Sequence, residues 1–412
     1  MRRPLALAAA VCVGAASLII TTPIAAAEPI GGPLLAGSGV IVDPGPNADP
    51  LPDVPVTAWV LADLDSGAIL AAKAPHAQRP PASVLKTLTL LTLTQRLDPD
   101  QVYTTTYDDV AVEGSRVGLV EEATYTAHDL FLCLMMQSGN DCASALASAN
   151  GGLELSVAQM NEEAQRLQAY DTVAVNTSGL PAEGQVSSAY DLALIAREGL
   201  ARPDFFEYVN TRVVEDFPGY MPAEPGDPRP TMPIATQNPL FIQGYDGAIG
   251  VKTGWTTEAG KTFVGAAERG GASLVVTLLN IEGEIYPSAS ALLDWGFANL
   301  DAVTPVGYLV DPIDATTADP ADSSLTPTDA ADSVSTTGDV TSAAEPVAAS
   351  TDSTPWGWVW TLVAAMVVGL LLIVLGLRSL RGPAPRGGAR RARTTGPDES
   401  DDADLTRDFA RG

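Results

Sequence analysis

Three short motifs constrain this chain more than any other feature of its sequence. Ser83 stands three residues before Lys86, a Ser-Gly-Asn triplet covers Ser138–Asn140, and a Lys-Thr-Gly triplet covers Lys252–Gly254. Only four lysines occur in 412 residues, and two of them fall in these motifs. A serine and a lysine three positions apart on a helix share one face, so the amine can reach the hydroxyl without any histidine. The motifs therefore predict a serine acyl-transferase.

Ser83 is the predicted nucleophile, and Lys86 is its predicted general base. A serine hydroxyl attacks poorly at neutral pH unless a neighbouring group removes its proton. The chain has two histidines, His76 in a predicted loop and His128 at a predicted helix start, and both positions favour a structural role. An amine can act as the base when burial and a nearby positive charge lower its pKa, and Lys252 is the candidate for that charge.

Apolar segments near the two ends predict an exported, membrane-anchored chain. Residues 1–27 combine two arginines, an apolar run and an Ala-Ala-Ala cleavage site, which is typical of a signal peptide. Residues 356–377 form a run of 22 residues with Thr361 as its polar interruption, long enough for a transmembrane helix. Tryptophans cluster at its start and arginines follow its end. This asymmetry predicts a single-pass protein of the cell membrane, with an extracellular body and a short cytoplasmic tail over residues 378–412.

The chain between these ends divides by composition. Residues 28–52 are rich in proline, glycine and aspartate, which predicts an irregular leader. Residues 53–300 carry the motifs and are numerous enough for one two-part core. Residues 301–355 contain ten acidic residues and no basic one, which predicts a disordered acidic spacer. The formal net charge of −27 argues against nucleic acid as a partner, because an acidic surface repels polyanions.

Hydrophobic periodicity within residues 53–300 predicts an α+β domain. A strand, a tight turn and a second strand are expected over residues 58–72, and further strands over 249–253, 261–267 and 272–279. Helices are expected from residue 83 onward and over 128–137, 141–149, 153–167, 188–200 and 289–300, with Asp141 as an N-cap. The proline-rich stretch 218–239 predicts a long loop.

Two cysteines, Cys133 and Cys142, flank the Ser-Gly-Asn triplet, whereas Cys12 lies in the predicted signal peptide. In an exported chain a disulfide between the two would close a loop of about ten residues. Two small thiols buried in packed helices would leave the same pattern. Both interpretations stay open at this point.

The three motifs and their surroundings resemble the serine penicillin-recognising enzymes, and among them the D-alanyl-D-alanine carboxypeptidases. The similar segments, all within residues 53–300, are Pro81–Thr87, Ser138–Asp141, Met160–Asn161, Asn176–Leu180 and Gly247–Gly260. The resemblance implies a β-lactamase/transpeptidase-like fold, with an antiparallel sheet flanked by helices and a mostly helical second lobe. The active site would lie in the cleft between them.

The resemblance also implies a mechanism that acts on peptidoglycan stem peptides ending in D-Ala-D-Ala. Ser83 would attack the carbonyl of the penultimate D-alanine, Lys86 would take its proton, and Ser138 would relay a proton to the leaving amine. β-Lactams would acylate Ser83 as covalent inhibitors. No metal or other cofactor is expected.

The same resemblance implies that the Ser-Gly-Asn and Lys-Thr-Gly triplets bind the substrate. The residues concerned are Asn140, Lys252, Thr253 and Gly254. Asn140 would bond the substrate peptide, while Lys252 and Thr253 would hold the terminal carboxylate. Backbone N–H groups of Ser83 and Trp255 would form the oxyanion hole.

The motifs also allow three other interpretations. A class A β-lactamase is disfavoured, because no Glu-x-x-Leu-Asn segment lies between the second and third motifs. A murein DD-endopeptidase of the same fold would keep every motif residue and cut a cross-link instead, so it remains an alternative. A non-enzymatic, membrane-anchored sensor of β-lactams or muropeptides is disfavoured, because the short tail has no folded output domain.

Overall fold

The computed structural model describes residues 28–221 and 227–313. Its α-helices are α1 Lys86–Leu93, α2 Tyr107–Val110, α3 Ala127–Met136, α4 Asn140–Ala149, α5 Leu153–Arg166, α6 Ala189–Leu200, α7 Pro203–Asn210, α8 Pro239–Ile242 and α9 Ile285–Asn299. Its strands are β1 Val40–Pro44, β2 Val56–Asp63, β3 Ala68–Lys73, β4 Val102–Thr104, β5 Thr124–Thr126, β6 Val213–Pro218, β7 Thr231–Ala235, β8 Ala248–Thr256, β9 Gly260–Arg269, β10 Ala272–Ile281, β11 Val303–Thr304 and β12 Gly307–Tyr308. Two 3-10 turns cover Pro33–Ala36 and Ala82–Leu85.

The central sheet is antiparallel throughout. Its strands lie in the order β11-β1-β3-β2-β10-β9-β8, and β12 pairs with β3. Strand β8, which carries the Lys-Thr-Gly triplet, is therefore an edge strand. The edge leaves one side of that triplet open to a neighbouring lobe or to a substrate.

The two faces of the sheet bury two different cores, as the alternation of strand side chains requires. On β2, Val60 packs into the larger core, which includes the helical lobe. Its neighbours Trp59 and Leu61 point the other way, into a core that includes Leu292 and Trp295 of α9. The fold is α+β, with helices α1 to α7 forming most of the second lobe, as the sequence predicts.

The corner between α3 and α4 presents the Ser-Gly-Asn triplet. Helix α3 starts with a capping box of Thr126 and Asp129 and ends at Met136. The chain then reverses through Ser138, whose φ of 58° lies in the left-handed region that residues other than glycine rarely adopt. Helix α4 begins at Asn140, so the triplet lies at a sharp turn between two buried helices.

Two predicted boundaries of the domain are wrong. The segment 28–52 is not an irregular leader throughout, because β1 pairs with β3 inside the central sheet. The acidic spacer does not begin at residue 301, because β11 and β12 pair with β1 and β3. The strands near both ends of the domain are short and are ordered by pairing with strands that are distant in sequence. Local composition does not predict such pairing.

Two local predictions are also corrected. Asp141 is not the N-cap of α4, since Gly139 occupies that position. Its carboxylate instead accepts hydrogen bonds from the backbone N–H groups of Val117, Gly118 and Leu119, at 3.2, 2.9 and 3.0 Å. The stretch 218–239 is not one long loop, because β7 pairs with β6. Proline is tolerated in such a two-stranded ribbon, where each strand has a free edge.

The predicted signal peptide, transmembrane helix and cytoplasmic tail lie outside the described residues. Within residues 28–221 and 227–313, no helix combines the length and the hydropathy that crossing a bilayer requires.

Cys133 and Cys142 form a disulfide that joins α3 to α4 and encloses the Ser-Gly-Asn corner. We expect the double variant Cys133→Ala/Cys142→Ala to fold but to lose about 2–3 kcal/mol in the free energy of unfolding, because the bond restricts the unfolded chain. Urea unfolding of both proteins, with and without a reductant, measures this difference. The reductant should destabilise the unaltered protein by a similar amount and leave the double variant unchanged. Equal stabilities under oxidising conditions would refute the expectation.

Candidate active site

The site begins where the 3-10 turn Ala82–Leu85 meets α1. Ser83 lies in the turn and Lys86 is the first residue of the helix. The Lys86 Nζ lies 3.0 Å from the Ser83 Oγ, as the spacing of the motif predicts. Lys86 is completely buried, at 0% exposure, so its amine is shielded from water by the surrounding protein.

Two oxygens that can only accept hydrogen bonds flank the Lys86 amine. Its Nζ donates to the Asn140 Oδ1 at 2.8 Å and to the Ser178 backbone oxygen at 2.6 Å. A neutral amine has two N–H groups and one lone pair. In that neutral form the two acceptors would take both N–H groups, and the lone pair would be left for the Ser83 hydroxyl.

The electrostatics favour that neutral form. Burial, and after it the positive charge of Lys252, lower the pKa of Lys86 well below its usual value, while Asp141 opposes the shift. Burial also lowers the pKa of Lys252, to about 7. Because desolvation penalises the charged form of an amine, burial makes the unprotonated form of Lys86 more accessible than that of an exposed lysine.

Asn140 is oriented by its own contacts with a neighbouring loop. Its side-chain Nδ2 donates to the backbone oxygen of Glu113 at 2.6 Å, which turns Oδ1 toward Lys86. Its backbone N–H donates to the Ser115 oxygen at 2.7 Å. The same loop is held by Asp141, so residues 113–119 and the start of α4 form one hydrogen-bonded unit.

The segment Asn176–Leu180 places the second acceptor of the Lys86 amine. The Asn176 Oδ1 accepts from the backbone N–H groups of Ser178 and Gly179, at 3.1 and 2.8 Å, which closes a tight turn. Gly179 has a φ of +81°, and a Cβ there would collide with the backbone oxygen of Ala82. Only glycine lets the turn approach the nucleophile this closely.

The third motif lies along β8, against the turn that carries Ser83. A side chain on Gly254 would collide with Thr262 and would place its Cβ 2.8 Å from the backbone nitrogen of Ser83. Thr262, on β9, donates to the Pro81 oxygen at 2.9 Å and ties the sheet to the same turn. The glycine is therefore required for the strand to pass the nucleophile.

Lys252 is buried and lines neither of the cavities beside Ser83. It is 2% exposed, and its Nζ donates to the backbone oxygen of Thr253 at 2.8 Å. Among the described residues, no hydrogen bond joins Lys252 to Ser138, the proposed proton relay. Its positive charge is the second cause, after burial, of the lowered pKa of Lys86.

An open cleft runs on both sides of Ser83. One cavity of about 590 Å³ is lined by Ser83, Ser138 and Thr253 and extends to the start of α9. A second cavity of about 750 Å³ is lined by Ser83 and Asn140 and extends along the end of β8 to Glu258. Ser115 and Trp255 line both cavities, and Trp255 is 65% exposed. The cleft lies between the helical lobe and the sheet, where the sequence predicts it.

The predicted site residues that line the two cavities are Ser83, Ser138, Asn140, Thr253, Gly254 and Trp255. Lys86 and Lys252 are buried and line neither cavity. Three further contributions are not predicted from the sequence. The Ser178 oxygen, the Asp141 carboxylate and the Thr262 hydroxyl position the Ser-Lys pair and its loop. The Asn-Thr-Ser-Gly segment is part of the resemblance, but the sequence predicts no role for it. Neither histidine lines the cleft: His76 contacts Asp171, and His128 contacts Tyr208.

An antiparallel sheet, a helical lobe and three motifs around one buried lysine define the fold class of the serine penicillin-recognising enzymes. A family model for D-alanyl-D-alanine carboxypeptidase matches residues 46–283. This chain belongs to that family.

Relatives and solved structures agree with the assignment. The chain is 39% identical over 267 residues to the D-alanyl-D-alanine carboxypeptidase DacB2 of Mycobacterium tuberculosis, covering 63% of this chain and 88% of that protein. A crystal structure of a D-alanyl-D-alanine carboxypeptidase from Mycobacterium tuberculosis has a TM-score of 0.60 and 37% identity, covering 65% of this chain and 100% of that chain. A variant of a Streptomyces DD-transpeptidase has a TM-score of 0.55 and 26% identity, covering 60% and 99%.

The lowered pKa of Lys86 gives a direct test by NMR. Lysine labelled with ¹³C at Cε yields one signal for each of the four lysines, and we expect the Lys86 signal to titrate well below 10.5. In Lys252→Met the Lys86 midpoint should move upward, because a repelling positive charge has been removed. The matched control is Lys73→Met, since Lys73 bonds the Val56 oxygen on the sheet and should leave Lys86 unaffected. A Lys86 midpoint near 10.5 in the unaltered protein would contradict this account.

Proposed function

We propose that this chain is a serine-type D-Ala-D-Ala carboxypeptidase that removes the terminal D-alanine from peptidoglycan stem pentapeptides. The observation that carries the proposal is the buried Lys86 amine, 3.0 Å from the Ser83 hydroxyl, with both of its N–H directions occupied by fixed acceptors. Membership of the carboxypeptidase family supplies the substrate class.

In the acylation step Ser83 is the nucleophile and Lys86 the general base. The hydroxyl proton passes to the Lys86 Nζ while the Oγ bonds the carbonyl carbon of the penultimate D-alanine. The carbon–nitrogen bond to the terminal D-alanine then breaks, and the leaving nitrogen receives a proton through Ser138, which lines the same cavity. A general base of this kind contributes about 10²–10⁴-fold to the rate.

Developing negative charge on the carbonyl oxygen needs fixed donors. In this proposal the backbone N–H groups of Ser83 and Trp255 supply them. The support is the close passage of Gly254 by the Ser83 nitrogen, which brings the strand and the turn together at the reacting carbonyl. Such preorganised donors are typically worth a few kcal/mol in the transition state.

Water completes the reaction by hydrolysing the ester on Ser83 and releasing the shortened peptide. A β-lactam would acylate Ser83 by the same attack on its ring amide. Its leaving nitrogen remains attached to the acyl group after the ring opens, so it stays in the cleft where the terminal D-alanine would depart. The proposal therefore includes persistent covalent labelling by penicillins.

The proposed location is the outer face of the cell membrane. The support is the sequence alone: a signal-like segment over residues 1–27, a 22-residue apolar run over 356–377, and an arginine-rich tail over 378–412. In this arrangement the catalytic domain faces the peptidoglycan, and a single span holds it near the membrane.

Replacing Ser83 with alanine tests the nucleophile. We expect Ser83→Ala to lose covalent labelling by a fluorescent penicillin and to release D-alanine from a pentapeptide about 10⁴-fold more slowly or worse. The control is Ser66→Ala, which removes an exposed hydroxyl from the turn between β2 and β3. Labelling that persists in Ser83→Ala would remove Ser83 from its role. Product analysis with a cross-linked dimer alongside the pentapeptide separates carboxypeptidase from endopeptidase activity.

Replacing Asn140 with aspartate tests the neutral amine. The change is nearly isosteric and puts a negative charge where the Asn140 Oδ1 now lies, 2.8 Å from the Lys86 Nζ. That charge raises the pKa of Lys86. We expect acylation by penicillin at pH 7 to slow about tenfold or more, and to recover as the pH rises. The pH dependence of the acylation rate measures this shift. A midpoint that is the same in Asn140→Asp and in the unaltered enzyme would show that Lys86 is not the base.

A further inference from the structure

The terminal carboxylate of a D-Ala-D-Ala peptide needs a positively charged partner inside the cleft, and Lys252 is poorly placed to supply it. Lys252 is 2% exposed, lines neither cavity, and donates to the backbone oxygen of Thr253. Thr253 does line the cavity beside Ser83 and Ser138, but its hydroxyl carries no charge. A carboxylate leaving water without an ionic partner would lose much of its hydration without compensation.

Lys261 is the one lysine or arginine among the described residues that line the 590 Å³ cavity. It stands on β9 directly opposite Trp255 of β8, so the two side chains share one face of the sheet. Thr253 lies on β8, two residues before Trp255, and therefore on the same face of the sheet as Trp255 and Lys261. Diagonal neighbours in an antiparallel pair are about 7–8 Å apart, which is within reach of a lysine side chain.

The hydrogen bonds of the Lys261 ammonium leave it able to bind a ligand. Its Nζ donates to the Gly283 oxygen at 2.7 Å and to the Glu284 Oε1 at 2.8 Å. An ammonium has three N–H groups, so these two acceptors, the ones found among the described residues, leave one donor. The Lys261 side chain is 33% exposed and that of Glu284 is 81% exposed. Their ion pair is therefore screened by water, and a substrate carboxylate can compete with it.

We infer that Lys261, together with Thr253, binds the terminal carboxylate of the substrate, and that Glu284 is its partner while the cleft is empty. This inference rests on the proposed carboxypeptidase function. The ionic contact with the substrate then comes from β9, which pairs with the strand β8 that carries the Lys-Thr-Gly triplet. Lys252 acts on Lys86 and not on the substrate. For a substrate whose terminal carboxylate is converted to an amide, Lys261 should contribute nothing to kcat/KM.

A matched pair of peptides tests the assignment. One is an N-acylated tripeptide ending in D-Ala-D-Ala with a free carboxylate, and the other is its C-terminal amide. In Lys261→Met we expect kcat/KM for the acid to fall about tenfold, mainly through KM, because a charge-assisted hydrogen bond is lost. For the amide we expect a change of less than about twofold. Lys261→Arg should retain most of the activity on the acid.

Two further variants make the test specific. Lys73→Met makes the same substitution on strand β3, where Lys73 bonds the Val56 oxygen and lines neither cavity, so it should affect acid and amide equally and weakly. Glu284→Gln removes the competing carboxylate and should raise kcat/KM for the acid about two- to threefold. It provides an independent readout if Lys261→Met folds poorly by thermal unfolding.

The outcomes separate the two proposals. If the unaltered enzyme hydrolysed neither peptide and no penicillin labelled Ser83, the carboxypeptidase function would be refuted. If the unaltered enzyme were active and Lys261→Met reduced turnover of acid and amide by the same factor, only the role of Lys261 would be refuted. A Glu284→Gln variant with lower activity on the acid would also refute that role.

Discussion

A lysine amine buried without a bonded carboxylate is the constraint on which the site depends. Among the described residues, the hydrogen-bond partners of the Lys86 Nζ are all neutral: a serine hydroxyl, an amide oxygen and a backbone oxygen. Such an environment disfavours the charged amine, so the pKa of Lys86 falls. The same burial that would be a liability in an ordinary core makes the amine a base for Ser83. Exclusion of water from the Lys86 amine is therefore part of the proposed chemistry, and the helical lobe covers this amine.

The surrounding fold keeps three distant parts of the chain in contact around that amine. The Ser-Gly-Asn corner is enclosed by the disulfide between Cys133 and Cys142 and is oriented by hydrogen bonds to the loop 113–119. The turn at Asn176–Leu180 fits against the nucleophile because Gly179 has no side chain. Gly254 does the same from the sheet. Close backbone approach, rather than long side chains, brings the catalytic groups together.

Much of the fold could be predicted from the sequence, for physical reasons that differ between elements. Strands β2 and β3 and helix α6 were predicted because their hydrophobic periodicity is strong and Ser188 marks the start of the helix. Strands β1, β11 and β12 were missed, because they are short and owe their order to pairing with β3 and with one another. Asp141 was misread as a helix cap, since a carboxylate near a helix start also serves a loop that lies more than twenty residues away in sequence.

The sequence by itself determined the chemical groups and their local spacing: a serine and a lysine one helical turn apart, and glycines where no side chain fits. Local geometry suffices for the Ser-Lys spacing, because helix periodicity depends only on nearby residues. The glycines are present in the sequence, but the contacts that require them, such as Gly179 against Ala82, come from the tertiary structure. Only the tertiary structure decided which oxygens hold the Lys86 amine and which lysine faces the open cleft. Lys252 and Lys261 are nine residues apart on paired strands. Lys252 is buried near Lys86, whereas Lys261 lines the cavity. The two side chains lie on opposite faces of the sheet, because successive residues of a strand alternate between its faces.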